Sequence, residues 1–156
     1  LGLLALCLVQ IMLGGFMAGM RAGAIHPHWP FFAGNNHLLE IVGNPNLIKD
    51  AEIINYEGSV WIKGLVQVLH RSSAFALFIL TLIALYQVWD KEKFLKKAII
   101  VVFGLVSLQY LLGVLTLVGI VGNKTPVILG VVHQGLALLF LVSLLYVFFL
   151  LRPLKS

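Results

Sequence analysis

Long apolar stretches without a charged side chain alternate with short polar segments along this chain. Asp, Glu, Lys and Arg are absent from residues 1–20, 72–89, 98–123 and 125–151. A helix needs roughly 20 residues to cross the hydrocarbon core of a bilayer. The pattern therefore predicts an all-α membrane protein, a bundle of four transmembrane helices that forms one domain over residues 1–156. The expected helices cover about residues 1–20, 59–89, 95–121 and 126–151.

The composition agrees with this class and changes how the charge is interpreted. Hydrophobic residues make up 60% of the chain and charged residues 11%, and the mean hydropathy is +1.02, which excludes an ordinary water-soluble domain. The net charge of +5 is typical of chains that bind nucleic acid. Here the charges lie between the apolar stretches, so they indicate membrane topology and no nucleic-acid partner.

The positions of Lys and Arg predict which side of the membrane each connection faces. Basic residues concentrate on the cytoplasmic side of membrane proteins. Residues 90–97 carry four lysines and the last residues add Arg152 and Lys155, which makes six against four on the opposite side. We expect both ends of this chain on the cytoplasmic or matrix side and the connection 21–58 on the outer side. Within that connection, residues 46–56 predict a short amphipathic surface helix.

The first residues do not resemble a secretory signal. Leu1 already lies in an apolar stretch, and no initiator Met, basic region or small-residue cleavage site is present. We therefore expect the chain to be a segment of a longer protein.

Two pairs of helices repeat the same short motifs. The first and third helices share Gln-x-x-Leu-Gly, at residues 10–14 and 109–113, and the second and fourth share His-x-x-x-Ala, at 70–74 and 133–137. An even number of crossings separates the two copies, so they have the same orientation in the membrane. We expect two helix pairs related by a pseudo-two-fold axis along the membrane normal.

The repeated histidines, His70 and His133, predict a haem site. Both lie in the outer halves of their helices. Two imidazoles that face each other across a bundle are a ligand set for six-coordinate haem iron. Ala74 and Ala137 lie one turn deeper on the same helix faces and leave room for a flat macrocycle. A single intramembrane histidine is often only a packing residue, but repetition favours the cofactor because ionisable groups in membranes are usually functional.

Two polar residues accompany His70. Gln67 lies one turn nearer the outer side, where it is placed to hydrogen-bond a haem substituent or a water molecule. Arg71 points about 100° away around the helix, and we predict that it pairs with a haem propionate. The alternative is that Arg71 extends to the outer interface. We expect three other histidines to be interfacial loop residues, namely His26, His28 and His37.

Five motifs occur in order along essentially the whole chain. They are Gln10-x-x-Leu13-Gly14, a loop from Ala22-Gly23 to Trp29-Pro30, His70-Arg71-x-x-Ala74, Gln109-x-x-Leu112-Gly113-x-x-Thr116 and His133-Gln134-x-x-Ala137. Together they resemble the haem A synthase family. The resemblance implies eight transmembrane helices in two similar halves, one for a haem b cofactor and one for the substrate haem O. It also implies an oxidoreductase that converts a methyl group of haem O to the formyl group of haem A for cytochrome oxidase.

One position in this resemblance distinguishes the two halves. In the substrate-binding half of the family, a glutamate implicated in catalysis precedes the His-Arg pair by three residues. Here that residue is Gln67, and an amide cannot exchange a proton as a carboxylate can. The resemblance therefore implies the C-terminal half, with haem b as its cofactor and no catalytic residue in this chain, which alone would not complete the reaction. The implied iron ligands and haem-contacting residues are His70, His133, Arg71, Gln67, Ala74 and Ala137.

The resemblance also implies partners and a location. The partners are membrane lipid, the N-terminal half of the same enzyme, haem O as its substrate, an electron donor, and haem O synthase or oxidase assembly factors. The location is the bacterial plasma membrane or the mitochondrial inner membrane.

Two other classes of protein are compatible with the same residues. One is a cytochrome b-type electron-transfer membrane subunit, which would show a reversible one-electron potential and a quinone site and would form no haem A. The other is a membrane scaffold or half-transporter without haem, in which the glutamines and histidines only tie helices together.

Overall fold

Four long helices dominate the structure. The computed structural model describes residues 1–30, 38–55, 57–121 and 124–151. In chain order its elements are α1 (Gly2–Gly19), a 3-10 helix (Ala22–Ile25), α2 (Leu38–Gly43), α3 (Pro45–Lys49), β1 (Ile53–Ile54), β2 (Glu57–Gly58), α4 (Val60–Gln87), α5 (Lys93–Val118) and α6 (Val127–Leu150). Within these described residues, α1, α4, α5 and α6 are the helices long and apolar enough to cross a membrane. The expected all-α membrane class is confirmed, and each helix bound lies within three residues of its predicted position.

The four long helices carry large apolar side chains on their outer surfaces. Leu8 of α1, Phe75 of α4, Leu115 of α5 and Val142 of α6 are all exposed. In hydrocarbon an exposed apolar side chain is in a favourable environment, and a helix is stable there because it satisfies its own backbone hydrogen bonds. The apolar outer surface is therefore the lipid-facing surface expected of a membrane bundle.

The helices form a ring in which α4 and α6 are diagonally opposite. α1 packs against α4 and α6, α4 packs against α5, and α5 packs against α6. The two remaining pairs, α1 with α5 and α4 with α6, lie across the bundle. Side chains that point inwards from α4 and α6 consequently face each other.

The main hydrophobic core fills one end of this bundle. We call this end, where residues 88–92 connect α4 to α5, the lysine end, and the opposite end, where residues 20–59 connect α1 to α4, the loop end. The buried core residues are Cys7, Leu77, Ala98, Ile99, Val102, Val106, Phe140, Leu144 and Val147. All of them except Val106, which lies at the middle of α5, are in the half of their helix nearest the lysine end. The core therefore leaves the loop-end half of the bundle interior available for a site.

The connection from α1 to α4 contains more regular structure than one surface helix. In place of a helix over 46–56, α3 ends at Lys49 and an antiparallel hairpin follows, with Ile53 opposite Gly58. Asn55 has a φ of 52°, a conformation that asparagine tolerates in turns and that a continuing helix does not allow. The prediction of one surface helix over residues 46–56 is therefore corrected to a short helix followed by a hairpin.

An ion pair joins the hairpin to α4. Nζ of Lys63 lies 2.5 Å from Oε2 of Glu57, and this ammonium group lowers the pKa of the Glu57 carboxyl. The pair connects the outer loop to the first turn of α4, the helix that carries His70.

Candidate functional site

A cavity of about 740 Å³ lies inside the bundle. All four long helices contribute to its wall, and four residues of the hydrophobic core form its floor, namely Cys7, Leu77, Val106 and Phe140. His70 of α4 and His133 of α6 both line it. Since α4 and α6 are diagonally opposite, the two imidazoles approach the same space from opposite sides. The structure thus brings together the two repeated histidines.

On one side of the cavity, His70 packs against α1. Nε2 of Gln10 lies 3.4 Å from Nε2 of His70. A Cβ atom added to Gly14 would lie 3.4 Å from Cε1 of the same ring. Gln10 and Gly14 are four residues apart and therefore share one face of α1. The amide faces a ring nitrogen, and the glycine one turn later leaves room for the ring.

On the other side, His133 makes the same two contacts with α5. Nε2 of Gln109 lies 3.4 Å from Nε2 of His133, and a Cβ added to Gly113 would lie 3.1 Å from Cε1 of that ring. Gln10 and Gln109 each lie nine residues before the last residue of their helix. The repeated sequence motif therefore corresponds to a repeated arrangement of glutamine, histidine and glycine.

Each imidazole keeps one nitrogen without a partner. Nδ1 of His70 and Nδ1 of His133 are buried and have no hydrogen-bond partner among the described residues. Buried polar atoms are normally paired, and a neutral imidazole nitrogen is a common metal ligand. His70 and His133 line one mostly apolar cavity from opposite sides, and such a pair of imidazoles would fit a haem.

The two alanines of the repeat also belong to the cavity wall. Ala74 lies one turn after His70, and Ala137 lies one turn after His133. Their methyl groups keep the wall close to both histidines free of bulk, which suits a flat ligand.

Arg71 lines the cavity and is buried, with 7% of its surface exposed. Its Nη2 donates a hydrogen bond of 3.0 Å to the carbonyl oxygen of His28. Its guanidinium carbon lies 5.1 Å from the centre of the Trp29 ring. A buried cation requires partners of this kind. Arg71 therefore contacts residues of the outer loop, and its pairing with a propionate stays a prediction.

Gln67 is buried but does not belong to the described cavity wall. Its Nε2 donates a hydrogen bond of 3.0 Å to the carbonyl oxygen of His26. Gln67 and Arg71 are four residues apart, so together they tie residues 26–28 to one face of α4. A direct contact between Gln67 and haem stays a prediction.

The loop histidines differ from one another. His28 is exposed, as expected for an interfacial loop residue. His26 is only 1% exposed, which corrects the same expectation for it. The reason is that the Gln67 hydrogen bond holds the His26 backbone against α4, where its ring meets the His28 ring edge-on at 5.4 Å. His37 lies outside the described residues, as do Arg152 and Lys155 of the topology argument.

Tyr110 is a cavity residue that the sequence reasoning missed. It lines the cavity, and its ring meets the exposed ring of Trp29 edge-on at 5.6 Å. The signal in the sequence was its position directly after Gln109 of the repeated motif. Trp29 therefore contacts both Arg71 and Tyr110 in the cavity wall.

The cavity is open along one side of the bundle. Among the described cavity-lining residues of the four long helices, those that are exposed all belong to α1 or α6. They are Gly15, Ala18, Val127, Val131, Gln134 and Leu138. The lining residues of α4 and α5 are buried or half-buried. The cavity therefore opens sideways between α1 and α6.

Replacing Gln67 by leucine is expected to loosen the loop at residues 26–28. The change leaves the carbonyl oxygen of His26 buried without its donor, which costs about 1–3 kcal/mol. Hydrogen exchange of the backbone amides in residues 22–29 should become faster. Gln87→Leu, at the exposed end of the same helix, is the control and should leave this exchange unchanged. Equal hydrogen exchange in Gln67→Leu and in the unmodified protein would contradict the inference that the Gln67 hydrogen bond holds this loop on α4.

A protein-family model matches nearly the whole chain. Residues 1–145 match the family COX15-CtaA, described as cytochrome oxidase assembly protein. The chain belongs to the COX15-CtaA family. This confirms the resemblance found in the five sequence motifs, all of which lie within the matched residues.

Curated proteins with similar sequences are bacterial haem A synthases. Those of Flavobacterium johnsoniae and Flavobacterium psychrophilum are 35% and 34% identical over 151 and 148 residues, and that of Bradyrhizobium diazoefficiens is 34% identical over 142 residues. The matches cover 92%, 92% and 87% of this chain, but 40%, 40% and 35% of the relatives. The chain thus spans about 40% of the length of the first two relatives. No solved structure matches the chain significantly.

Proposed function

We propose that this chain is the C-terminal, haem b-binding half of a haem A synthase. The observation that carries the proposal is the pair His70 and His133, which line one cavity from diagonally opposite helices. Each histidine contacts a glutamine and a glycine of a neighbouring helix in the same arrangement. Membership of the COX15-CtaA family supports the cofactor class. His70 and His133 are the residues that would hold the haem iron.

Gln67 supports the assignment to this half. The resemblance puts a catalytic glutamate three residues before the His-Arg pair in the substrate-binding half. Gln67 at that position is an amide, and it donates a hydrogen bond to the backbone of His26 and is not part of the described cavity wall. A side chain so engaged supplies no proton acceptor at the site. We therefore assign no catalytic residue to this chain.

The other site residues have roles that follow from their positions. Bound haem b would supply a one-electron redox centre. Arg71, which lines the cavity beside Trp29, would neutralise a propionate, because a guanidinium pairs strongly with a carboxylate. The apolar floor, which includes Leu77 and Phe140, would exclude water from the lysine-end side of the macrocycle.

The complete enzyme would act in haem A biosynthesis. With an N-terminal half that holds haem O, it would oxidise the methyl group to the formyl group with an external oxidant, such as dioxygen, which the proposed electron donor would activate by reduction. Haem O synthase and oxidase assembly factors are the proposed neighbours in the same membrane. The bacterial relatives favour the plasma membrane, with the lysine end on the cytoplasmic side.

The absorption spectrum of the purified chain tests this proposal. Expressed with a supply of haem and purified in mild detergent, the protein is expected to show the sharp reduced bands of bis-histidine haem b. A folded but colourless protein would contradict the proposal. Formation of haem A by the complete protein, assayed by pigment extraction, would separate a haem A synthase from an electron-transfer cytochrome.

A further inference from the structure

The cavity opens sideways between α1 and α6, and this position suggests how a ligand reaches the two histidines. We call the exposed lining residues of these helices the side opening, namely Gly15, Ala18, Val127, Val131, Gln134 and Leu138. We propose that haem enters the cavity from the bilayer through the side opening. This inference rests on the proposed function, since its ligand is the proposed haem.

The side opening lies at the depth of the histidine pair. Gly15 follows Gly14, where an added Cβ would lie 3.4 Å from the His70 ring, and Gln134 directly follows His133. Both positions belong to helices that are long and apolar enough to cross a membrane. The opening between these helices therefore faces hydrocarbon. A ligand that reaches it has to come through the lipid.

The glycines beside the side opening leave more space than the glycine beside the His133 ring. A Cβ added to Gly15 of α1 or to Gly130 of α6 would have no contact within 4 Å among the described residues. A Cβ added to Gly113 would lie 3.1 Å from Cε1 of His133. Gly130 also lines the cavity, one turn of α6 before His133. The wall of α5 is thus closely packed, while the side towards α1 and α6 keeps free space.

The charges of the cavity wall suit an amphiphilic ligand that lies in the membrane. Among the described lining residues, Arg21 and Arg71 are cations and none is Asp or Glu. Haem combines an apolar macrocycle with two carboxylates, so in a bilayer its macrocycle lies in hydrocarbon and its carboxylates lie near the polar interface. Arg21 follows Ala18 of the side opening by three residues, at the loop end of α1. Its charge is therefore placed to attract these carboxylates.

The guanidinium group of Arg21 is available for this contact. Its side chain makes no hydrogen bond or ion pair among the described residues, because Glu57, which lines a small outer pocket with it, pairs with Lys63. Arg21 also has a φ of 51°, directly after the C-cap residue of α1. Helices usually place glycine in this left-handed conformation, and other residues held there concentrate at functional sites.

A route past the loop end suits the same ligand less well. Trp29 and Thr125 are exposed residues of the cavity wall that lie in the connections between helices. A ligand on this route arrives from water, in which an apolar macrocycle is poorly soluble. The Trp29 ring also contacts Arg71 and Tyr110, so its displacement would break both contacts. Entry through the side opening leaves these contacts intact.

Leucine substitutions that fill the side opening test the proposal by separating rate from affinity. The haem-free chain is reconstituted in phosphatidylcholine vesicles, absorption follows the uptake of added haem, and an excess of a soluble haem-binding protein measures its release. Gly15→Leu and Gly130→Leu are expected to slow uptake and release alike by about tenfold, because each passage must push packed side chains apart. The affinity, which is the ratio of the two rates, should stay unchanged. Gly135→Leu is the control that alters neither rate, since Gly135 is exposed and outside the described cavity wall.

Two further variants examine the charge and the other route. Arg21→Gln should slow the uptake of haem but not that of haem dimethyl ester, which has no carboxylate. Thr125→Leu adds bulk on the loop-end route and should change neither rate. Equal slowing of haem and its ester in Arg21→Gln would contradict the attraction of carboxylates by Arg21.

The outcomes separate this route from the haem proposal itself. If Gly15→Leu and Gly130→Leu exchange haem as fast as the unmodified chain, the side opening contacts only lipid or the N-terminal half, and the inference is overturned while haem binding stands. Slower exchange in Thr125→Leu alone would place the entrance at the loop end and overturn it as well. A lower affinity at an unchanged uptake rate would show a contact with bound haem instead of an entry route. The two glycines lie on different helices, so if one variant does not fold, the other decides. An unmodified chain that binds no haem overturns the proposed function and this inference with it.

Discussion

Replacing either His70 or His133 by alanine is expected to eliminate the six-coordinate haem spectrum of this protein. Each imidazole is the sole proposed ligand on its side of the cavity, and alanine puts a methyl group where an iron ligand should be. The loss of haem affinity should exceed the roughly 100-fold limit typical for removing a residue that only supports a ligand. Absorption of the reduced protein and haem content per chain measure the effect.

A loop histidine provides the matched control for these two variants. His28 is exposed, and its contact with Arg71 uses a backbone carbonyl that alanine retains. His28→Ala should therefore keep the spectrum of the unmodified protein. A bis-histidine spectrum that persists in His70→Ala or His133→Ala would show that the replaced histidine is not an axial ligand. The family assignment would stand, but the ligand pair would have to be found elsewhere in the chain.

The helices and the histidine pair could be predicted from the sequence for specific physical reasons. The exclusion of charge from hydrocarbon leaves a clear signal in the chain, so the bounds of α1, α4, α5 and α6 lie close to their predicted positions. The repeat of His70 and His133 places two rare intramembrane groups in equivalent contexts. Neither inference needs a knowledge of which helices are neighbours.

The partners of these residues could not be predicted in the same way. The spacing of the motif puts Gln10 and Gly14 on one face of α1. Whether this face contacts His70 depends on the order of the four helices around the bundle, which the motif does not contain. The tether of Gln67 to the backbone of His26 joins residues 41 positions apart and uses a carbonyl that every residue type possesses. A sequence pattern gives no sign of such a contact, so the sequence alone predicts only a contact of Gln67 with the cofactor, which stays a prediction.

The hairpin after α3 was missed for a related reason. Residues 46–56 contain apolar and polar positions at helical spacing, which predicted one surface helix. The positive φ of Asn55 and the ion pair between Glu57 and Lys63 favour a turn and two short strands instead. Short segments of this kind depend on contacts with the rest of the protein more than on their own periodicity.

Replacing Gly113 by leucine is expected to remove His133 from its position and to abolish bis-histidine ligation. Even a Cβ atom at this position would lie 3.1 Å from Cε1 of the ring, closer than carbon atoms normally approach. A leucine side chain needs far more space, and overpacking of this kind typically costs about 1–3 kcal/mol and shifts neighbouring groups. Loss of the six-coordinate spectrum and a reduced haem content would show that the ring has moved.

Two comparisons make this prediction specific to the contact with His133. Gly104 is on the same helix, and nothing lies within 4 Å of a Cβ added there, so Gly104→Leu should leave the spectrum unchanged. Among the alanine variants, Gly113→Ala should weaken haem binding more than Gly14→Ala, whose Cβ would be 3.4 Å from the His70 ring. The difference arises because the His133 ring must move by a few tenths of an ångström, while the His70 ring can remain in ordinary contact. Equal spectra for Gly113→Leu and Gly104→Leu would mean that the His133 ring does not pack against Gly113 of α5.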